Sequence, residues 1–238
     1  MILCLDAGNS RLKWGLCHLK QWHGQGTIEY AELDALPNLL PASPTRVIAC
    51  NVAGEAVRKR LEQLATRLAT PTTWLTSTAK CCGVSNGYEQ PGQLGADRWA
   101  ALIGARTLHG GAAVVVMAGT ATTIDQLDAD GTFRGGLILP GLALMHAALA
   151  RNTADLPLAQ GRFLNAPRNT GDAITSGALH ATLGAIERMR AALGENPAVL
   201  LSGGAAAELS PHIAEPRQIL DNLVLEGLAR FAFYGSAD

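Results

Sequence analysis

The chain has 238 residues, 48% of them hydrophobic and 16% charged, which fits one large or two small buried cores and marks it as globular rather than disordered. A formal net charge of −1, with Lys and Arg scattered, gives no electrostatic footprint for nucleic acid and no polybasic patch for a membrane. The chain opens on a strand rather than a charged and apolar leader, and its longest apolar run is far short of the about 18 residues that span a bilayer, so a cytoplasmic protein is expected.

Periodicity predicts alternating strands and helices. Strands fit 1–6, 11–18, 25–30, 46–50 and 72–76. A helix fits 55–68, where Val57, Leu61, Leu64 and Leu68 keep one face apolar, and a second runs from near Gly95 to Leu108. Strands at 113–118, 121–127 and 133–139 then repeat the opening order, and a helix follows from Gly141 to about Ala150. The stretch from Asn152 to Asn169, with Pro157 and Pro167, reads as a mobile loop. A long helix at 171–193, a strand at 198–202 and a helix at 223–233 complete the chain. Five cysteines without CxxC spacing read as buried reduced thiols, and Cys81-Cys82 has no partner ligands nearby in sequence. The six histidines, without i, i+4 spacing, read as surface or packing residues.

Two segments stand out because they duplicate one another. ILCLDAGN at 2–9 and AVVVMAGT at 113–120 each run an apolar strand into an Ala-Gly turn closing on a small hydrogen-bonding residue, and each continues into a second strand. Glycines at such turns, Gly8 and Gly119, let backbone amides approach an anion, and Asn9, Ser10, Thr120 and Thr122 add short donors. Two hairpins of this kind suit the phosphates of a nucleotide. Asp6, at the end of its strand, is costly to bury without a positive partner; magnesium on nucleotide phosphates, reached through water, is one partner, and a cap on its own turn is the plainer reading. Lys13 reads as a phosphate contact or as a solvated hairpin lysine.

The stretch GYEQPGQLGADRW, residues 87–99, leads a Pro-Gly loop into a helix with Asp97 and Arg98 in its first turn. The helix dipole favours an ionised carboxylate there, which can take a proton from a substrate hydroxyl; a purely structural first-turn Asp is the other reading. Gly135-Gly136, Pro140-Gly141 and Ser202-Gly203-Gly204 read as ligand walls or tight turns, the last as a place for an adenosine.

With these residues in view, MILCLDAGNSRLKWG, GYEQPGQLGADRW, AGTATTIDQL with GGLILPG, NTGDAITSG and LSGGAA follow one another as the motifs of type III pantothenate kinases do, and the chain resembles that family over nearly its whole length. The resemblance implies an α/β, duplicated ribonuclease-H-like fold, shared by actin, sugar kinases and heat-shock chaperone ATPases. Its two similar domains, here 1–110 and 111–238, would hold a nucleotide cleft between them. It implies phosphoryl transfer from ATP to the hydroxyl of pantothenate, the first step toward coenzyme A, in a homodimer whose pantothenate pocket lies at the subunit interface. It assigns Asp6 to Lys13 to the ATP phosphates, with magnesium reached from Asp6 through water. Asp97 becomes the general base, Tyr88, Gly95, Ala96 and Arg98 the pantothenate pocket, Thr120 an ATP contact and Thr170 a pantothenate contact. Arg98 further suits the substrate carboxylate.

One position departs from the pattern. The family places Asp in the second hairpin to bind potassium or ammonium, and here that position is Met117, a poor ligand for a hard cation. The enzyme then does without the cation, or Asp125 supplies charge, or activity is impaired. A nucleotide-binding regulatory protein of the same fold is the alternative reading that Met117 supports.

Overall fold

The structure, a computed structural model, describes residues 1–19, 21–153, 156, 158, 161–194 and 196–234. It divides into two compact units, one formed by Met1–Gly110, Gly131–Phe133 and the chain from Asn222 onward, the other by Gly111–Asp130 and Arg134–Asp221.

In the first unit Ile2–Ala7 (β1) and Leu12–His18 (β2) form an antiparallel hairpin, with Gln21–Ile28 (β3) on the outer edge of β2. A single turn, Leu36–Leu39 (α1), precedes Arg46–Asn51 (β4), which runs parallel to β1. Glu55–Arg67 (α2) crosses over to Thr72–Trp74 (β5), giving the order β3-β2-β1-β4-β5. β3 begins earlier than the pattern of 25–30 suggests, because it is held by aromatic rings rather than by an apolar stripe. A Cβ on Gly26 would lie 2.8 Å from Trp14 Nε1, and one on Gly15 would lie 2.5 Å from the Trp22 ring, so each tryptophan covers a glycine of the neighbouring strand. The hairpin Lys80–Cys81 (β6) and Val84–Asn86 (β7) then leads to Ala96–Leu108 (α3). Alternation along β1 sends Leu3, Leu5 and Ala7 into a core shared with Leu61 and Leu64 of α2. Cys4 and Asp6 therefore take the opposite face.

The second unit repeats the scheme. Ala113–Ala118 (β8) pairs antiparallel with Ala121–Leu127 (β9), and Thr132–Pro140 (β10), Leu142–Asn152 (α4), Thr170–Ala192 (α5), Ala198–Ser202 (β11), Ala206–Leu209 (α6) and Arg217–Ile219 (β12) follow. The strand order is β12-β11-β8-β9-β10, with β11 parallel to β8. β9–β8–β11 thus reproduces β2–β1–β4. Val114, Val116 and Ala118 share a core with Leu179, Leu183 and Ile186 of α5, and Met117 takes the other face. The first residues of β10, Thr132 and Phe133, cluster with the first unit and pair with β7.

α5 begins on a built cap. Asn169 Oδ1 accepts from the Asp172 amide at 2.9 Å, and Asp172 accepts from the Arg162 amide at 2.7 Å. The Thr175 and Ser176 hydroxyls accept from the Gly161 and Leu164 amides at 3.1 and 3.0 Å, so 161–164 is fastened to the helix. The amide of Arg162, then the amide of Asn169, holds the Asp172 carboxyl below its ordinary range. Of the loop expected to be mobile, residues 154, 155, 157, 159 and 160 lie outside the described residues.

Leu223–Tyr234 (α7) returns to the first unit, where chain order alone had left it in the second domain. The reason is apolar: Leu223, Val224, Leu225 and Leu228 are buried, and the helix lies on β1 and α3. Glycines let the two helices touch backbone to backbone. A Cβ on Gly227 would sit 1.8 Å from Ala100 O, and one on Gly104 2.3 Å from Leu223 O.

Candidate functional site

Asp6 lies opposite Lys13 on β2 and Cys50 on β4, with only 7% of its surface exposed. Burial pushes its carboxyl from the ordinary 3.8 up to about 6; Lys13 pulls it down, the charge of Asp97 pushes it up, and Cys50 Sγ donates to Oδ1 at 3.6 Å. Asp6 and Asp97 therefore share one electrostatic environment. The turn that follows, residues 8–11, presents Asn9, Ser10 and Arg11 to solvent. Its far side is fastened by Tyr30, whose hydroxyl reaches Gly8 O at 2.5 Å and Arg11 O at 3.4 Å. Burial, and then the charge of Asp6, pushes the Tyr30 phenol up to about 12, so it remains a donor at neutral pH.

Asp97 stands in the first turn of α3, where Oδ1 accepts from the Arg98 amide at 2.8 Å. A Cβ on the preceding Gly95 would come within 2.7 Å of that oxygen, so glycine clears the space the carboxylate occupies. Arg98 is 4% exposed; its Nη1 donates to the Tyr88 hydroxyl at 2.9 Å, and its guanidinium carbon lies 5.7 Å from the Tyr88 ring and 5.9 Å from the Phe133 ring. The Tyr88 amide in turn donates to Asn86 Oδ1 at 3.1 Å, and Asn86 Nδ2 bonds Pro91 O at 3.1 Å. The guanidinium expected to meet a substrate carboxylate is thus engaged in the wall that carries Tyr88.

A buried carboxylate raised by a second one suits a hydrated divalent cation carried on phosphates. Among the described residues no three His, Cys, Asp or Glu side chains converge, so an all-protein metal cage is not built there. The donor set fits magnesium bound chiefly by its nucleotide.

In the second unit the turn at Gly119 and Thr120 is buttressed by two later segments. The Gly141 amide donates to Thr120 O at 2.9 Å, and a Cβ on Gly141 would lie 2.1 Å from Gly119 O. Gly203, at φ +98°, would place a Cβ 2.5 Å from Ala118 O, while the Ala205 amide donates to the same oxygen at 3.1 Å. Thr122 pairs opposite Ala118 and is buried on the core side. Met117 lies between Thr123 on β9 and Ser202 on β11. Thr170 is the first residue of α5 and lines an apolar groove of about 870 Å³ with Pro140, Met145 and Ile174.

The structure brings Asp6, Lys13 and Asp97 together electrostatically, and Tyr88 with Arg98 by hydrogen bond. Sequence reasoning missed Tyr30, which carries no motif and reaches the turn from 22 positions away. It also missed Thr123, and it read Ser202 as part of a place for an adenosine without foreseeing that both hydroxyls are buried, which no local pattern reports.

The sequence profile of type III pantothenate kinase matches residues 2–192. The type III pantothenate kinase of Aromatoleum aromaticum is 50% identical over 233 residues, covering 96% of each chain. Among solved structures, a conserved Campylobacter jejuni protein described as a Baf family transcriptional activator superposes with a TM-score of 0.66 at 22% identity, covering 97% of this chain and 98% of that one. A Sinorhizobium meliloti protein described as a 2-dehydro-3-deoxygalactonokinase gives 0.59 at 16% identity, covering 98% and 99%. These likenesses show the fold, the duplicated α/β fold of actin and the sugar kinases. With the profile match and half-identical relative together, the chain belongs to the type III pantothenate kinase family.

Proposed function

We propose that this chain transfers the γ-phosphoryl group of ATP to the primary hydroxyl of pantothenate, giving 4′-phosphopantothenate and ADP. The observation that carries the reading, in a family named for this reaction, is the Asp6 carboxyl buried opposite Lys13 at the end of β1, directly before the Gly8 turn. The hydroxyl oxygen forms the new bond to phosphorus as the bond to the bridging oxygen of ADP breaks, and Asp97 accepts the hydroxyl proton. Magnesium, held from Asp6 through water, would neutralise charge on the phosphates. The turn at Gly8, Asn9 and Ser10, with Lys13, contacts the phosphates in this reading, and Tyr30 keeps that turn in shape. Gly119 and Thr120 supply the second phosphate-binding turn. Gly95, Ala96, Tyr88 and Arg98 form the wall of the pantothenate site, with Arg98 setting the position of Tyr88, and Thr170 is a further substrate contact.

The test is ADP release from ATP and magnesium with and without pantothenate, beside Asp97→Asn. Pantothenate-dependent release falling about 10²- to 10⁴-fold in the variant is the expected result; release that ignores pantothenate would remove the reading. The chain acts in this account as a homodimer, which suits the exposed Leu144 and Leu149 beside the apolar groove, and sedimentation equilibrium returning a monomer would reject that part. We place the reaction in the cytoplasm, where five free cysteines stay reduced. Among the described residues no helix is long and apolar enough to cross a membrane.

A further inference from the structure

The rows Lys13–Asp6–Cys50 and Thr123–Met117–Ser202 occupy the same place in the repeated strand triple. A carboxylate stands at the centre of the first row and a thioether at the centre of the second. Residues directly opposite one another on paired strands share a sheet face, so Thr123 and Ser202 flank Met117 on the face away from α5. Thr123 is 8% exposed and Ser202 1%, and neither hydroxyl oxygen has a hydrogen-bond partner among the described residues. A buried hydroxyl without a partner is uncommon because it forfeits its hydration. Here two of them stand on either side of Met117, one on each neighbouring strand.

The family implies a potassium or ammonium ion at this position, and the residues present do not fit one. Two neutral hydroxyls and a soft thioether supply no charge to offset the dehydration of a hard cation. Asp125 is one rung further along the same face, opposite Val115, fully buried and already engaged. We infer that the Thr123–Met117–Ser202 row is a monovalent-cation position from which the charge has been removed, so that this chain folds and binds magnesium-ATP without potassium or ammonium. The inference rests on the ATP-binding reading above for its affinity arm only.

The experiment measures thermal unfolding of the apo-protein, and the affinity for magnesium-ATP, in potassium, ammonium, sodium and choline chloride at equal ionic strength. Wild type is expected to give the same midpoint in all four salts and affinities within about twofold, whereas Met117→Asp gains a potassium- and ammonium-specific rise in midpoint and an affinity gain of about fivefold or more. The melting arm needs neither ATP nor turnover, so a failure of the kinase reading leaves it standing. Potassium-specific stabilisation of the wild type would overturn the inference, and its loss in Asp125→Asn would assign the cation to that carboxylate. A folded Met117→Asp without any cation-specific response would also overturn it; if that variant does not fold, the wild-type arm decides alone.

Discussion

Asp6 is the residue on which stability and chemistry oppose each other. Its folded-state pKa of about 6 stands above the ordinary 3.8, so the folded apo-protein holds this proton more tightly than the unfolded chain does. The associated stability is fully present below pH 4 and is lost as pH rises through 6, a cost of about 3 kcal/mol at pH 8. Asp6→Asn is therefore expected to melt higher than wild type at pH 8, with the difference shrinking to nothing below pH 4, while ADP release collapses. Equal melting midpoints at pH 8 would show that the buried charge is compensated in the apo-protein. At Gly95 the effect is reversed, with geometry lost and stability kept. The added methyl of Gly95→Ala displaces only the flexible end of Asp97, so the midpoint should hold while kcat falls about 10²-fold. Tyr30→Phe removes the bond to Gly8 O, and a loss near 1 kcal/mol corresponds to about fivefold weaker ATP binding by titration calorimetry.

Among the elements, the crossing of α3 and α7 determines how the start of α3 is held. At Gly227 a side chain would overlap Ala100 O in a helix that cannot shift without moving Asp97. Gly227→Ala should cost about 3 kcal/mol and lower the melting midpoint by about 10 °C, and an unchanged midpoint would mean the helices can separate freely. The same scale shows what could be read beforehand. Both hairpins were legible because an apolar run stops at an Ala-Gly turn, yet their turns differ: residues 8–11 separate the paired Ala7 and Leu12, and residues 119–121 separate Ala118 and Thr122. The copies are therefore in step before the turn and one residue out of step after it. The strands β6, β7 and β12 span two or three residues, too few for a period to register. Gly141 and Gly203 were recognisable as special positions, but what approaches them is backbone from β8 and its turn, a long-range fact that composition does not encode. Tyr30 and the Thr123–Ser202 pair were hidden for the same reason, since their partners, or lack of partners, are fixed only when distant strands pair.

For the molecule as a whole, the first unit is discontinuous. Its core holds β1, β2 and β4 from the opening of the chain, yet Leu223, Leu225 and Leu228 come from α7, more than 200 residues after Ile2. A chain stopped after Asp221 should lose the fold of the first unit and precipitate, or bind a dye specific for exposed apolar surface; a truncated protein that melts cooperatively and binds magnesium-ATP would show that α7 is dispensable. The order in which a ribosome releases these parts gives the arrangement a further meaning. The Asp6 hairpin emerges before the whole second unit and the helix that covers its sheet emerges after it, so the usual gain from folding the early part during synthesis is withheld. The earliest strands must wait, uncovered on one face, through the making of the whole second unit. A product that ends before α7 then lacks the helix that covers the sheet carrying Asp6.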